Sequence, residues 1–413
     1  MSQTNLKVIS SRKWNLFFIF MFLFFLESFH CYFFWSIPYV IPFITVFFSV
    51  LFLINNRQYF TFTKRNNWPL CLFLISMLYN IRDQNIFGFI AGCLPFISLF
   101  VFFNLKIYYK AKFLETLTKV LSVFLFISLI AWFLVMIGVS LPKGEISYEA
   151  AGGTKHVLNN YYLFIEYTEN VIFQRFMSIF IEPGYLGSLL AFLIYINNFE
   201  LKRKEVLVLF ISLIITFSLA GYLMLLFSYL TYLTKNKKNE FIYLIVYSSI
   251  LLITYNLTNN INNGNNIYNK LIYSRFEFDK EKDKWTGNNR TSAELDFNFD
   301  KFLDSEYLTT GVGLTEAEKF GGGVGYKAYI ITNGIFGLSI LFLAYLSGWI
   351  FYKKSFSFTI VMLYILMFLK GSSEIFWAGF LMIYASSIYL PENWRQIYHF
   401  NKNVPDNTDY FKI

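Results

Sequence analysis

Residues 205–234 read EVLVLFISLIITFSLAGYLMLLFSYLTYLT, a long apolar run interrupted only near Ser218, Ala220 and Gly221. Lys202, Arg203 and Lys204 precede it, and Lys235, Lys237 and Lys238 follow it. A spanning helix takes about 20 apolar residues, and basic loops stay on the cytoplasmic side. If both basic blocks are cytoplasmic, the run must cross twice, so it is expected to be a hairpin of two short helices. The stretch 355–390 poses the same question at Lys370-Gly-Ser-Ser-Glu374. A single helix there would hold Lys370 and Glu374 mid-bilayer, at about 2.5–3.5 kcal/mol per charge on insertion scales.

Further apolar runs lie near 14–31, 36–54, 68–81, 86–105, 117–139, 176–197, 241–257 and 328–351. With both ambiguous stretches as hairpins, all seven short basic blocks fall inside, from Lys7/Arg12/Lys13 to Arg395/Lys402/Lys412. The expectation is an all-α polytopic membrane protein of about 12 transmembrane helices, both termini cytoplasmic. Single helices would give ten spans and leave the blocks at 235–238 and 353–354 outside. The expected organisation is 1–141 with helices 1–5, an external loop 142–174, and 175–257 with helices 6–9. A second external loop at 258–326, helices 10–12 at 327–391 and a cytoplasmic tail at 392–413 complete it. The basic start and the bulky run after it, with no small-residue cleavage site, read as a retained signal anchor.

Composition agrees. Of 413 residues 56% are hydrophobic, 52 are Phe and only 15% are charged, with mean hydropathy +0.47. Soluble domains carry about 25% charge. A soluble enzyme, a disordered chain and a nucleic-acid reader are excluded, and the net charge of +9 is assigned to basic loops. Cys31, Cys71 and Cys93 lie in or beside apolar runs and suggest neither a disulfide framework nor a zinc site.

Three stretches carry candidate chemistry. The first is RFMSIFIEPGYLG, 175–187. As a helix opening the sixth span, it would put Arg175, Ser178 and Glu182 on one face, with Glu182 about 10 Å down. An ionisable residue there is a functional candidate, the alternative being a structural kink with Glu182 paired to Arg175. In the second, Thr291-Ser-Ala-Glu294 forms a capping box before Leu295, Phe299, Phe302 and Leu303. That predicts a short amphipathic helix on the outer membrane surface. Arg290 beside its positive end suits an anion such as a pyrophosphate, unless it is an ordinary solvated Arg. Arg275, in the same loop as Lys280, Lys282 and Lys284, is a further substrate-binding candidate.

The third stretch is TTGVGLTEAEKFGGGVGYKAY, 309–329. It is not a Walker A motif and follows no Rossmann strand. Its glycines are expected to shape a mobile external loop. Lys327 then serves as a second anion ligand or as a snorkelling interfacial Lys. Lys155 and His156, in the first large loop, are substrate-binding candidates, and Glu27 and His30 lie i, i+3 near the outer end of the first span. There is no Asp-x-Asp pair and no His/Cys cluster, so no metal or other cofactor is expected.

A polytopic chain with two large external loops resembles the bacterial O-antigen and capsular polysaccharide polymerases of the Wzy type. The run Arg175 to Gly187 is similar to that family's signature span, and TFSLAGYL (216–223) resembles its outward-facing tip, although Leu219 stands where members often carry Arg. Asn289-Arg290 to Gly311-Val-Gly313 resembles its Arg, amphipathic helix and G-x-G run. The resemblance covers most of 170–350. O-antigen ligases carry His-Asn where Tyr326-Lys327 stands.

The resemblance implies a metal-independent glycosyltransferase in the bacterial cytoplasmic membrane. It would act on undecaprenyl-pyrophosphate-linked oligosaccharides and meet membrane lipid and a chain-length regulator protein, with no nucleic-acid partner. Glu182 would be the base, and Arg175 and Arg290 would meet the departing pyrophosphate, with Lys327 in reserve. A lipid-linked oligosaccharide flippase, another 12-span transporter and a ligase are the rival readings.

Overall fold

The computed structural model describes residues 11–37, 40–149, 155–168, 174–235, 278–279, 284–285, 293–321, 325–352, 355–371 and 376–401. Among these the chain is mostly helical. It opens with α1 (Ser11–Ser28), α2 (Val40–Asn55), α3 (Lys64–Asn80), α4 (Ile86–Phe103) and α5 (Ile107–Met136). After a small sheet come α6 (Pro183–Ile196), α7 (Lys204–Ile215) and α8 (Leu219–Lys235), then α9 (Ala293–Leu303) and α10 (Leu314–Ala317). The described chain ends with α11 (Tyr326–Tyr352), α12 (Ser355–Lys370), α13 (Ala378–Ser387) and α14 (Trp394–Asn401). Among the described residues three helices, Ile86–Phe103, Ile107–Met136 and Tyr326–Phe351, are long and apolar enough to cross a membrane. The other apolar helices are shorter.

α6 and α13 form the centre. Every residue of α13 is buried, as is every residue of α6 except Tyr185. Helices that are apolar all round are buried all round. α6 packs on α7 and α8, and α13 on α1, α4 and α5. α8 comes close to α6 because two glycines face each other: a Cβ on Gly221 would lie 3.0 Å from the Gly187 backbone.

The run 205–234 is two helices. The Thr216 hydroxyl accepts the Ser218 N–H (3.2 Å), and the Ser218 hydroxyl accepts that of Gly221 (3.2 Å), so Ser218 starts α8. The stretch 355–390 likewise contains two helices, α12 and α13. α7 has 12 residues and rises about 18 Å, less than the bilayer's hydrocarbon core of about 30 Å.

Three sequence expectations need correction. The chain is not all-α: β1 (Gly144–Glu149), β2 (Lys155–Asn160) and β3 (Ile165–Tyr167) form an antiparallel sheet in the first large loop. Leu158, Ile165 and Met177 make its core, with Tyr32, Trp35, Ile146 and Tyr148 packed against it. The pairs β4 (Phe278–Asp279) and β5 (Lys284–Trp285) add a second, two-residue ladder. α5 starts at Ile107, not near 117, because its charges are matched rather than excluded. The Lys110 ammonium donates to the Phe103 carbonyl (2.5 Å), and buried Glu115 pairs with Arg203 (3.0 Å) and Arg395 (3.2 Å).

The third correction concerns α9. Its residues Leu295, Phe299 and Phe302 are buried with Ile331 of α11, so the protein itself covers that apolar face rather than lipid. Leu303, expected on the same face, is exposed.

Candidate functional site at the mouth of helix α6

Residues 174–182 are not helical, so Arg175, Ser178 and Glu182 share no helix face. The reason is local. Proline disfavours a helical residue before it and favours the first helical position. α6 therefore starts at Pro183, with Glu182 extended as its N-cap (φ −140°, ψ 134°). Upstream, Ser178 is buried with φ 52° and its hydroxyl meets that of Ser128 (2.8 Å). Its carbonyl accepts the N–H of Ile165 (2.9 Å), and that of Ile179 accepts the N–H of Tyr32 (3.2 Å). The segment thus ties the small sheet to the bundle.

The Arg175 guanidinium turns to the end of α7. Nε donates to the Thr216 carbonyl and Nη2 to that of Phe217, each at 3.0 Å. A cation on the last carbonyls of a helix satisfies acceptors that the helix leaves open. Arg175 thereby fixes the α7–α8 turn.

Glu182 is half-buried beside a helix that is otherwise enclosed. Two ionisable groups converge on Gly184. A Cβ placed there would lie 2.9 Å from Glu182 Oε1, 3.1 Å from Lys370 Cε and 3.2 Å from Lys370 Nζ. Lys370 is the buried last residue of α12. Its ammonium lies 3.5 Å from the Ser188 hydroxyl and 4.8 Å above the Tyr185 ring.

Aromatic side chains continue outward from Tyr185. Tyr185 meets Trp377 edge-on at 4.6 Å, and Trp377 meets His30 at 4.9 Å. Trp35 donates to the His30 carbonyl (2.9 Å) and lies 5.3 Å from Tyr148. Burial, and then the charge of Glu182, push the Tyr148 phenol above its ordinary pKa. His30, expected beside Glu27, donates its backbone N–H to the Glu27 carbonyl (2.9 Å).

The second candidate region is built differently. Lys327 pairs with Asp296 (2.8 Å) and lies 5.2 Å from the Phe299 ring, holding α9 against α11. α11 is broken at Gly334 (φ 63°, ψ −173°). The loop 309–313 repairs the break: Val312 and Gly313 donate to the carbonyls of Ile331 (2.9 Å) and Thr332 (3.0 Å), and Phe336 donates to Thr309 (3.0 Å). Gly311 has φ 71°, and a Cβ there would lie 2.3 Å from the Thr332 carbonyl oxygen. Gly311 and Gly334 therefore serve close backbone contact, while Gly322 and Gly323 of the same stretch lie outside the described residues.

Arg82 Nη2 donates to the carbonyls of Thr310 (3.0 Å), Gly311 (3.3 Å) and Thr332 (3.1 Å). Asp83 accepts the Thr315 N–H (2.6 Å). Partial burial works against the Asp83 carboxylate, but the N–H groups of Thr315 and Leu314 hold its pKa below the usual value.

Arg290 and Arg275 lie outside the described residues. Lys155 and His156 open β2, opposite Glu149 and Tyr148, and their side chains are outside the described set. Sequence reading missed Arg82, and treated Lys370 only as a charge that a hairpin would spare. The Lys-Gly-Ser-Ser-Glu break was its signal, but nothing local places it against Ser188, 182 residues earlier. No family model, curated protein or solved structure matches this chain.

Proposed function

We propose that this chain is a metal-independent membrane glycosyltransferase. It joins oligosaccharide repeat units carried on undecaprenyl pyrophosphate, at the external face of the bacterial cytoplasmic membrane. One observation carries the reading. Glu182 stands half-buried at the entrance of an enclosed helix, with the Lys370 ammonium on the other side of Gly184, Tyr148 within its field, and Tyr185 and Trp377 at the same helix start. A carboxylate so placed suits a general base. Tyr and Trp rings with polar tips suit a sugar, which has apolar faces and hydroxyl edges.

In this reading the acceptor hydroxyl gives its proton to Glu182 as its oxygen bonds to the donor's anomeric carbon. The bond from that carbon to pyrophosphate breaks, and pyrophosphate leaves with the electron pair on its lipid. Arg290 supplies the positive charge that the leaving group needs. Arg175 fixes the turn beside the site. The reading includes twelve spans, both termini cytoplasmic, 142–174 and 258–326 external, and a chain-length regulator as partner. An impermeant thiol reagent applied to single-cysteine variants checks the topology. Labelling from outside at 235–238, with none at 280–300, would refute it.

Loss of the protein tests the activity. Cells without it are expected to accumulate single lipid-linked units facing outward, with no ladder of longer glycans. Units that stay on the cytoplasmic leaflet would show a flippase and overturn the proposal.

A further inference from the structure

We propose that Trp35, Tyr148 and Trp377 form an aromatic platform that holds a sugar ring of the oligosaccharide at the mouth of α6. The proposal rests on the reading of the protein as one that acts on lipid-linked oligosaccharides. The three rings come from separate parts of the chain. Trp35 ends the short turn Tyr32–Phe34 after α1, Tyr148 belongs to β1, and Trp377 is the N-cap of α13. They meet in a continuous arc. Trp35 and Tyr148 lie 5.3 Å apart, and the Trp35 indole donates to the His30 carbonyl (2.9 Å). The His30 ring meets Trp377 at 4.9 Å, and Trp377 meets Tyr185 at 4.6 Å. Both ends are tied to the helix start. The Tyr185 N–H donates to the Glu182 carbonyl (3.1 Å), and Tyr167, in the same sheet as Tyr148, donates to the Ile181 carbonyl (3.4 Å).

The arc is braced on its inner side. Trp377 rests against Phe29 (5.8 Å) and Phe380 (6.4 Å), both fully buried, and Trp35 and Tyr148 pack on the core of the sheet. Trp35, Tyr148 and Trp377 are nevertheless only half-buried, so each keeps part of its surface open. Two of their polar tips are open as well. Among the described residues neither the Tyr148 hydroxyl nor the Trp377 indole N–H makes a hydrogen bond. Tyr and Trp that serve packing alone usually find such a partner. Burial and the nearby charge of Glu182 keep the phenol protonated, so it stays a donor. A sugar meets both features: its C–H face lies on a ring, and its hydroxyls take the free donors. Rings fixed before the ligand arrives lose little freedom on binding it.

The test measures binding without turnover. The probe is the free oligosaccharide repeat unit, cut from the cell's own surface glycan and titrated into the purified full-length protein in detergent. The wild type is expected to bind it. Trp377→Leu is expected to bind about 10-fold more weakly, with Trp377→Phe, which keeps a ring, in between. Tyr148→Phe loses only the hydroxyl, so binding should weaken about 2–10-fold at an unchanged melting temperature. That variant keeps the test decisive if Trp377→Leu fails to fold. Glu182→Gln is expected to bind the oligosaccharide while forming no long chains. No binding by the wild type, or wild-type affinity in Tyr148→Phe or in Trp377→Phe, overturns the platform and leaves Glu182 as base untouched. A normal ladder from Glu182→Gln removes the base and leaves the platform standing.

Discussion

The helix start at Glu182 and the helix break at Gly334 both place polar groups inside an apolar bundle, and they satisfy them differently. At Gly334 the carbonyls of Ile331 and Thr332 are taken by backbone N–H groups of the loop 309–313, and Arg82 Nη2 donates to that of Thr332 and to those of Thr310 and Gly311. Partners there are mostly backbone, and position is fixed by glycines that no larger residue can replace. At Glu182 side chains from separate elements come together, Lys370 of α12 on the other side of Gly184 and Tyr148 of β1 within its field, and the residue keeps some access to the outside. Backbone partners make a joint; convergent side chains with partial access make a place where chemistry can occur.

Five substitutions break or sharpen that contrast. Glu182→Gln should have the largest effect, a loss of long glycans of about 10²–10⁴-fold at unchanged protein level, read from the ladder and from membrane immunoblots. Gly311→Val should instead remove the protein. It puts a Cβ 2.3 Å from a carbonyl oxygen at φ 71°, at a cost of about 2–6 kcal/mol read as lost accumulation and lowered melting temperature. If Gly311→Val accumulates normally yet gives no ladder, the joint is part of the chemistry and the contrast fails.

Arg82→Ala should cost stability of about 1 kcal/mol, since its hydrogen bonds are partly exposed to solvent, and shorten no chains beyond the loss of protein. Asp83→Asn should act less, and with a pH signature. The folded carboxylate has a lowered pKa, so its contribution is complete above the ordinary Asp pKa and fades as pH falls through the folded value. Acid melting curves of wild type and Asp83→Asn should therefore converge. Lys327→Ala should be mildest, about 0–1 kcal/mol, because the Asp296 pair is partly solvated. A lost ladder at full stability would instead return Lys327 to the site.

Much of this was legible in the chain itself. The apolar composition and the breaks at Ser218 and after Lys370 follow from residues acting on their neighbours, through hydropathy, a hydroxyl cap and charge. So does the amphipathic stretch 293–303, whose period gave a helix, although not the surface that covers it. The helical face drawn through Arg175, Ser178 and Glu182 failed for an equally local reason. Pro183 starts a helix better than it continues one, and that outweighed a spacing of three and four.

The sequence alone determined that the chain is an apolar helical protein with an ionisable residue at a proline-marked helix start, because those properties need no distant partner. Tertiary structure decided which charges meet. Lys370 reaches the Ser188 hydroxyl of α6, Arg175 turns to the end of α7, and Arg82 closes the broken α11. Residue spacing gives the face of an element on which a side chain lies. Only the packing of elements hundreds of residues apart gives what stands opposite.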